Sequence, residues 1–344
     1  MDKNCRSIAV LGAGSWGTAL ALVLARNGHD VRLWAHTGAH ADALSGDREN
    51  RRYLPGFPFP ESLGATADLE AALRGVRDVL IVTPSHVFGE LLSKLAPLLS
   101  ARGRLIWGTK GLDAASGGLL HSLVENRLPG HPMAVISGPS FAAEVARGLP
   151  TAVTIASADS QFAADMARCF HNDVFRPYTT DDLIGVELGG AVKNVLAVAT
   201  GIADGLGLGA NTRAGLITRG LAEIVRLGNA LGARPETFMG LSGMGDLILT
   251  CTDDQSRNRR FGLALGRGAS IEQALAEIGQ TVEGVRTARE VHSLAQALNV
   301  EMPLCAQVYA VLAQSKSPGD AVRELMTRTL KDEAVDLDRG PPRR

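Results

Sequence analysis

The chain has 344 residues, 45% of them hydrophobic and 21% charged, with 36 acidic residues against 35 basic ones for a formal net charge of −1. This is the composition of a soluble chain of about two domains, and so even a charge balance excludes recognition of nucleic acid or an anionic membrane through a global field. The four cysteines, Cys5, Cys169, Cys251 and Cys305, form no C-x-x-C pair and none of the eight histidines has metal-ligand spacing, so reduced thiols and no metal are expected.

In chain order, short apolar, β-branched runs at Ser7–Leu11, Val31–Trp34, Val79–Val82, Arg104–Trp107, Ala134–Ile136 and Ala152–Ile155 read as buried strands. Segments of helical periodicity such as Ala19–Ala25 and Val87–Leu99 lie between them. That alternation predicts an α/β fold with a parallel sheet covered on both faces. From about Glu187 the strands stop, and Gly189–Ile202, Arg213–Leu231, Ile271–Ile278, Val285–Leu298 and Pro303–Gln314 read as helices. The change places a boundary near residue 185: a sheet domain over 1–185, an all-α domain over 186–335, and a charged, proline-containing tail, 336–344, expected to be disordered. The N-terminus has no signal-peptide pattern, which points to the cytoplasm. The most apolar stretch, Val186–Ala210, is broken by Lys193, Asn194 and Asp204, so no integral membrane segment is expected.

The first strand runs directly into Gly12-Ala13-Gly14-Ser15-Trp16-Gly17 and then into a helical segment. Gly12 permits a tight turn, Gly14 lets backbone approach a pyrophosphate, and Gly17 lets helix pack closely on strand. The new helix offers free N–H groups and the positive end of its dipole to phosphate. This context predicts a doubly wound, Rossmann-type sheet binding a dinucleotide. No Asp or Glu ends the second strand, Val31–Trp34, to bond a ribose 2′-hydroxyl. His36, with Arg32, Arg51 or Arg52, would tolerate a 2′-phosphate, so both NAD and NADP are admitted as cofactor.

Ligands of such sheets lie beyond the carboxyl ends of the strands. Those ends read Thr83-Pro84-Ser85, Gly108-Thr109-Lys110-Gly111 and Ser137-Gly138-Pro139-Ser140-Phe141-Ala142, which puts the cation of Lys110 among glycines. In the helical half, Lys193 and Asn194 interrupt an apolar helix, and a buried lysine costs free energy unless it is paired or deprotonated. Burial lowers a lysine pKa, which makes Lys193 a usable acid–base group. Gly189 and Gly190 are poor helix formers placed to let another backbone or a nicotinamide come close. Asp246 and Thr250, spaced i, i+4, share one face of a helix and are candidates to orient the ammonium. Gln255–Phe261 reads as a helix start rich in cations and amides, a phosphate site in which at least one of Arg259 and Arg260 belongs to a solvated face.

From the residues alone, a 3-hydroxyacid or 6-phosphogluconate type of dehydrogenase and a dinucleotide-sensing regulator without turnover stand as alternatives. The Thr-Lys-Gly at 109–111 and the Ser256–Arg260 segment favour a phosphate-bearing substrate. The chain resembles the bacterial NAD(P)-dependent sn-glycerol-3-phosphate dehydrogenase family from Gly12 to about Leu330. The resemblance rests on Gly-Ala-Gly-Ser-Trp-Gly-Thr-Ala at 12–19, Pro-Ser-His at 84–86, Thr-Lys-Gly-Leu at 109–112 and Ser-Gly-Pro-Ser-Phe-Ala at 137–142. It continues with Gly-Gly-Ala-Val-Lys-Asn-Val at 189–195, Gly-Asp-Leu at 245–247, Ser-Arg-Asn-Arg-Arg at 256–260 and Val-Glu-Gly at 282–284.

That resemblance implies NAD(P)H-dependent interconversion of dihydroxyacetone phosphate and sn-glycerol 3-phosphate, supplying glycerol phosphate for phospholipid synthesis, by a cytoplasmic homodimer. It implies Lys193 as proton donor or acceptor, with Lys110, Asn194, Asp246 and Thr250 as further catalytic positions. The substrate-binding set it implies is Lys110, Gly138, Ser140, Lys193, Asp246, Ser256, Arg257 and Asn258. The implied cofactor set is Gly12, Gly14, Ser15, Trp16, Gly17, His36, Lys110, Ala142, Arg257, Thr281 and Glu283. Two positions vary from the family pattern: Trp16 is often another aromatic, and His36 stands where many members have arginine.

Overall fold

Runs such as Ser7–Leu11 and Asp78–Ile81 carry apolar side chains on both faces, and only a strand covered on both sides buries them all. The computed structural model describes residues 6–329, so Cys5 and the tail expected over 336–344 lie outside the described residues. Two compact units are present. One takes the chain up to Asp113 and again Leu120–Leu183, and the other takes Ala114–Leu119 and the chain from Ile184 onward.

The first unit contains, in order, β1 (Ser7–Leu11), α1 (Ser15–Arg26), β2 (Asp30–Trp34), α2 (Gly38–Asp47), β3 (Leu63–Thr66), α3 (Leu69–Leu73), β4 (Asp78–Ile81) and α4 (Ser85–Leu95). There follow β5 (Arg104–Trp107), α5 (Leu120–Arg127), β6 (Met133–Ser137), α6 (Ala142–Arg147), β7 (Thr151–Ala156), α7 (Ser160–Phe170) and β8 (Phe175–Thr180). The strands form one sheet in the order β3-β2-β1-β4-β5-β6-β7-β8.

The sheet is not wholly parallel, as the alternation had suggested: β7 runs antiparallel to β6, with Ile136 opposite Ile155. The six-residue α6 between them spans only about 9 Å, too short a crossover to carry the chain back to the starting edge. Two strands escape the sequence reading. β3, Leu-Gly-Ala-Thr, has little β-branched content, and β8 is a mostly exposed edge strand containing Pro177. At the amino ends of β4 and β5, buried Arg104 bonds Asp78 at 2.6 Å and Asp165 at 2.7 Å. Burial pushes the Asp165 carboxyl up, yet the bond from Arg104 leads a larger opposing effect that holds it at about 2. These ion pairs lie at the amino ends of central strands and leave the carboxyl ends to a ligand.

The second unit is helical: α8 (Leu183–Gly205), α9 (Gly209–Leu231), α10 (Pro235–Phe238), one π-helical turn at Leu241–Gly245, α11 (Asp246–Thr252) and α12 (Arg257–Gly266). It ends with α13 (Ile271–Ile278), α14 (Glu283–Ala297), α15 (Pro303–Ala313) and α16 (Pro318–Met326). By length and composition α8 could cross a membrane, but its most apolar stretch is 89% buried within the protein. It crosses α12 with no layer of side chains between them. A methyl group at Gly201, Gly205, Gly262 or Gly266 would fall 2.1, 2.4, 2.2 or 2.3 Å from a backbone oxygen of the facing helix.

Glu223 on α9 is buried and caps α15, accepting the N–H groups of Leu304 at 2.6 Å and Cys305 at 3.1 Å. Burial pushes its carboxyl up from the ordinary 4.5 to about 7, against the pull of those two N–H groups and of Arg226. The native state therefore holds a proton that the unfolded chain has released between these values. The stability Glu223 contributes is fully present below the unfolded value and is lost as pH rises through about 7. Chemical denaturation at pH 5 and pH 8.5 should show the loss reduced in Glu223→Gln by about 2–3 kcal/mol. An unchanged difference would assign the pH dependence to another group.

Candidate active site

The glycine turn joins β1 to α1 with the geometry its spacing implies. Gly12 has φ +124°, and a methyl group there would meet the Val82 carbonyl oxygen at 2.4 Å. At Gly17 the same group would lie 1.9 Å from the Gly12 oxygen, whereas over Gly14 there is nothing within 4 Å. Gly14 is also the cap of α1 and has no side chain to bond the first N–H groups, so Ser15 and Trp16 open a helix with an uncapped positive end. Trp16 Nε1, Thr83 Oγ1 and Ser137 Oγ are buried and have no hydrogen-bond partner among the described residues. Open space over the turn and unmet polar atoms at the turn and strand ends suit a polar dinucleotide.

Thr109 Oγ1 donates to the Thr83 carbonyl at 2.8 Å, tying the segments after β4 and β5 and fixing Lys110, the next residue. Gly138, with φ +148°, passes close to β7: a side chain would meet Val153 Cα at 3.0 Å. Ser140 Oγ donates to the Gly138 carbonyl at 2.9 Å, and Ala142 begins α6. Past β2, His36 is exposed and edge-on to Trp34, 6.0 Å between ring centroids. Arg32 Nη1 donates to the Ala71 and Arg74 carbonyls at 3.1 and 2.6 Å. Arg51 pairs with Asp47 at 3.5 Å and Arg52 lies over the Tyr53 ring at 5.0 Å.

In the second unit, Lys193 and Asp246 are 6% and 1% exposed. Lys193 Nζ donates to Asp246 Oδ1 and to Thr250 Oγ1, each at 2.7 Å. The Thr250 hydroxyl donates in turn to the Asp246 carbonyl at 2.6 Å. Asp246 and Thr250 thus direct the ammonium from one helix. Neighbouring Asn194 donates through Nδ2 to Glu283 Oε2 at 3.2 Å and accepts from Asn258 Nδ2 at 2.9 Å, while Asn258 Oδ1 accepts the Gly284 N–H at 2.9 Å. Arg257, the first residue of α12, is half-buried and reaches Gln280 at 3.4 Å; Ser256 caps that helix by accepting the Arg259 N–H. Arg259 is buried on Asp204, Asp254 and the Cys251 carbonyl, which makes it structural, and Arg260 is exposed. Thr281 is exposed just before α14, which Glu283 opens. Burial pushes the Cys251 thiol up to about 12, which removes it as a nucleophile.

What brings Asp246 to Lys193 is a backbone contact. A methyl group on Gly189 would lie 2.7 Å from the Ser242 carbonyl oxygen. Lys193 is one turn after Gly189, and Asp246 follows Ser242 by the same four residues, so close contact at the first pair sets the ion pair at the second. The π-helical turn containing Ser242 aims the chain there, a use of π geometry common at functional sites. Sequence reasoning missed Asn50, which is fully buried and bonds the Ala13 carbonyl and Thr18 Oγ1 at 3.0 and 2.8 Å. It stands in Glu49-Asn50-Arg51-Arg52, a charged run that reads as solvated loop.

Two family models match the chain. The NAD-dependent glycerol-3-phosphate dehydrogenase N-terminus matches residues 7–163 and the C-terminus of the same family matches 182–323. A protein of Halorhodospira halophila named glycerol-3-phosphate dehydrogenase [NAD(P)+] is 62% identical over 331 residues, 96% of this chain and 99% of that one. The crystal structure of glycerol-3-phosphate dehydrogenase from Coxiella burnetii matches with a TM-score of 0.92 at 55% identity, covering 94% of this chain and all of that one (100%). The yeast enzyme matches with a TM-score of 0.82 at 26% identity, over 94% of this chain and 100% of its own. The chain belongs to the NAD-dependent glycerol-3-phosphate dehydrogenase family.

Two glycine-to-alanine changes in helices should have opposite signs. Gly215→Ala on α9, with nothing within 4 Å, should gain about 0.5–1 kcal/mol in denaturant unfolding. Gly189→Ala should lose about 1–3 kcal/mol through overpacking against the Ser242 carbonyl. Equal signs would refute the account of Gly189.

Proposed function

We propose that the chain interconverts dihydroxyacetone phosphate and sn-glycerol 3-phosphate, with Lys193 moving the proton at the C2 oxygen. The observation that carries this reading is the buried ammonium of Lys193 held by Asp246 and Thr250, each at 2.7 Å. The nicotinamide cofactor supplies hydride to C2 in reduction and takes it back in oxidation. As the C2 carbonyl becomes an alcohol, Lys193 Nζ gives a proton to the oxygen; in the reverse direction the neutral amine accepts it. Asp246 stabilises the ammonium before transfer, and the Thr250 hydroxyl keeps Nζ from swinging away. The Asn194 amide, fixed by Asn258 and Glu283, and the Lys110 cation offer donors for charge developing on that oxygen.

Arg257 begins the ten-residue α12, where a guanidinium joins the positive end of a helix dipole. This pairing supports a role in gripping the phosphate, whose binding energy positions C2 for reaction. Asn258 belongs to the same reading, although its amide is already bonded to Asn194 and Gly284. Ser15, Trp16, His36, Ala142, Thr281 and Glu283 are the proposed cofactor contacts, and Gly138 and Ser140 complete the substrate set. The absence of an acid after β2 supports use of NADP as well as NAD. A cytoplasmic homodimer making glycerol phosphate for phospholipids fits the same reading.

Lys193→Ala should lower kcat by about two to four orders of magnitude, while NADH affinity measured by fluorescence titration stays within twofold. Retained turnover would remove Lys193 from the chemistry. Arg257→Ala should act mainly on KM for dihydroxyacetone phosphate, raising it about tenfold or more, and an unchanged KM would exclude the phosphate contact.

A further inference from the structure

The glycine turn is held from behind. The Ala13 carbonyl accepts from Asn50 Nδ2 at 3.0 Å and lies 3.1 Å from His40 Nε2, which donates when that nitrogen carries the ring proton. Asn50 cannot swing away. Its Nδ2 also donates to Thr18 Oγ1 at 2.8 Å, its Oδ1 accepts the Tyr53 N–H at 3.2 Å, and its carbonyl accepts the Leu54 N–H at 2.8 Å. His40 is steadied by the Tyr53 ring, which meets it edge-on at 5.3 Å. All these residues belong to the first unit.

The peptide joining Ala13 to Gly14 is planar and trans, so its N–H points opposite to its carbonyl. Fixing the carbonyl toward Asn50 and His40 therefore turns the Gly14 amide away from them. Gly14 also has open space around it and an extended φ of −80°, a conformation any residue adopts. Its glycine identity thus answers to something outside the fold. A fully buried amide with three hydrogen bonds, placed behind a turn that makes none with its own side chains, orients that turn for a ligand.

We propose that Asn50 and His40 are positioning residues for the cofactor, holding the Ala13–Gly14 peptide so that the Gly14 amide meets the dinucleotide pyrophosphate. The proposal rests on the reading of the turn as the pyrophosphate site. Asn50 supplies a neutral donor where a carboxylate would face the Ala13 oxygen with like charge, so Asn50→Asp is the sharpest perturbation. It keeps the size of the side chain and an oxygen for the Tyr53 N–H.

The test compares the full-length parent, Asn50→Asp, Asn50→Leu, His40→Phe and Gly14→Val by fluorescence titration with NADH, calorimetric titration with ADP-ribose, and steady-state kinetics. Gly14→Val, with room for its side chain, should fold and lose cofactor binding. Both Asn50 variants should raise the Kd of NADH about tenfold or more and that of ADP-ribose in parallel. At saturating cofactor their kcat should remain within twofold of the parent, a split that general destabilisation would not produce. Should the Asn50 variants fail to fold, His40→Phe decides: one anchor is lost, and a Kd about threefold higher is expected. Parent-like Kd in folded Asn50 variants, or in His40→Phe when they do not fold, overturns the proposal while the turn reading stands. Parent-like binding in Gly14→Val overturns both.

Discussion

An ammonium buried in an apolar helix is the constraint around which the second unit is arranged. Desolvating Lys193 costs several kcal/mol unless an opposite charge and further hydrogen bonds meet it, and removing either partner of such a pair is more costly than never having made it. Asp246 and Thr250 meet that demand from successive turns of α11. For α11 to come so near, the chain before it must lie directly on α8, which the missing side chain of Gly189 and the π-helical turn at Leu241–Gly245 together permit. The same helix then presents Asn194, whose amide is locked by residues of α12 and α14. One costly charge thus accounts for the placing of several elements.

The first unit follows a different logic. Its site is mostly backbone, built from a helix end without a side-chain cap and from strand ends with buried polar atoms left unmet. Selectivity for an anion comes from oriented peptide groups rather than net charge, consistent with a chain whose charges nearly cancel. The chemistry of the proposed reaction divides accordingly, with cofactor recognition resting on peptide geometry and proton transfer on one guarded side chain.

Legibility in the sequence followed periodicity and anomaly. Buried strands such as β1 and β4 were readable because every residue after the first is apolar, and Lys193 stood out because it breaks an apolar run. β3 and β8 were not, since Gly-Ala and an exposed edge strand with proline leave no pattern. The reversal of β7 depends on the length of α6, a quantity no periodicity fixes. Asp246 and Thr250 could be paired by spacing, but their meeting with Lys193 depends on a π-helical turn. Arg259 shows the opposite limit: a cation in a polar helix start reads as part of a phosphate site or a solvated face, whereas the Cys251 carbonyl and Asp204 already hold it in the interior. Asn50 was hidden by its charged neighbours, because burial of one residue in a polar run is a tertiary fact.

The bare crossing of α8 on α12 has a mechanical consequence. Helices separated by side chains can slide a little, because rotamers rearrange to absorb the motion. Here backbone rests on backbone at Gly201, Gly205, Gly262 and Gly266, and nothing between them can yield. The two helices consequently travel as one stiff member. Lys193 and Asn194 at one arm and Arg257 and Asn258 at the other keep a set spacing, which makes the pair a fixed gauge rather than an adjustable jaw.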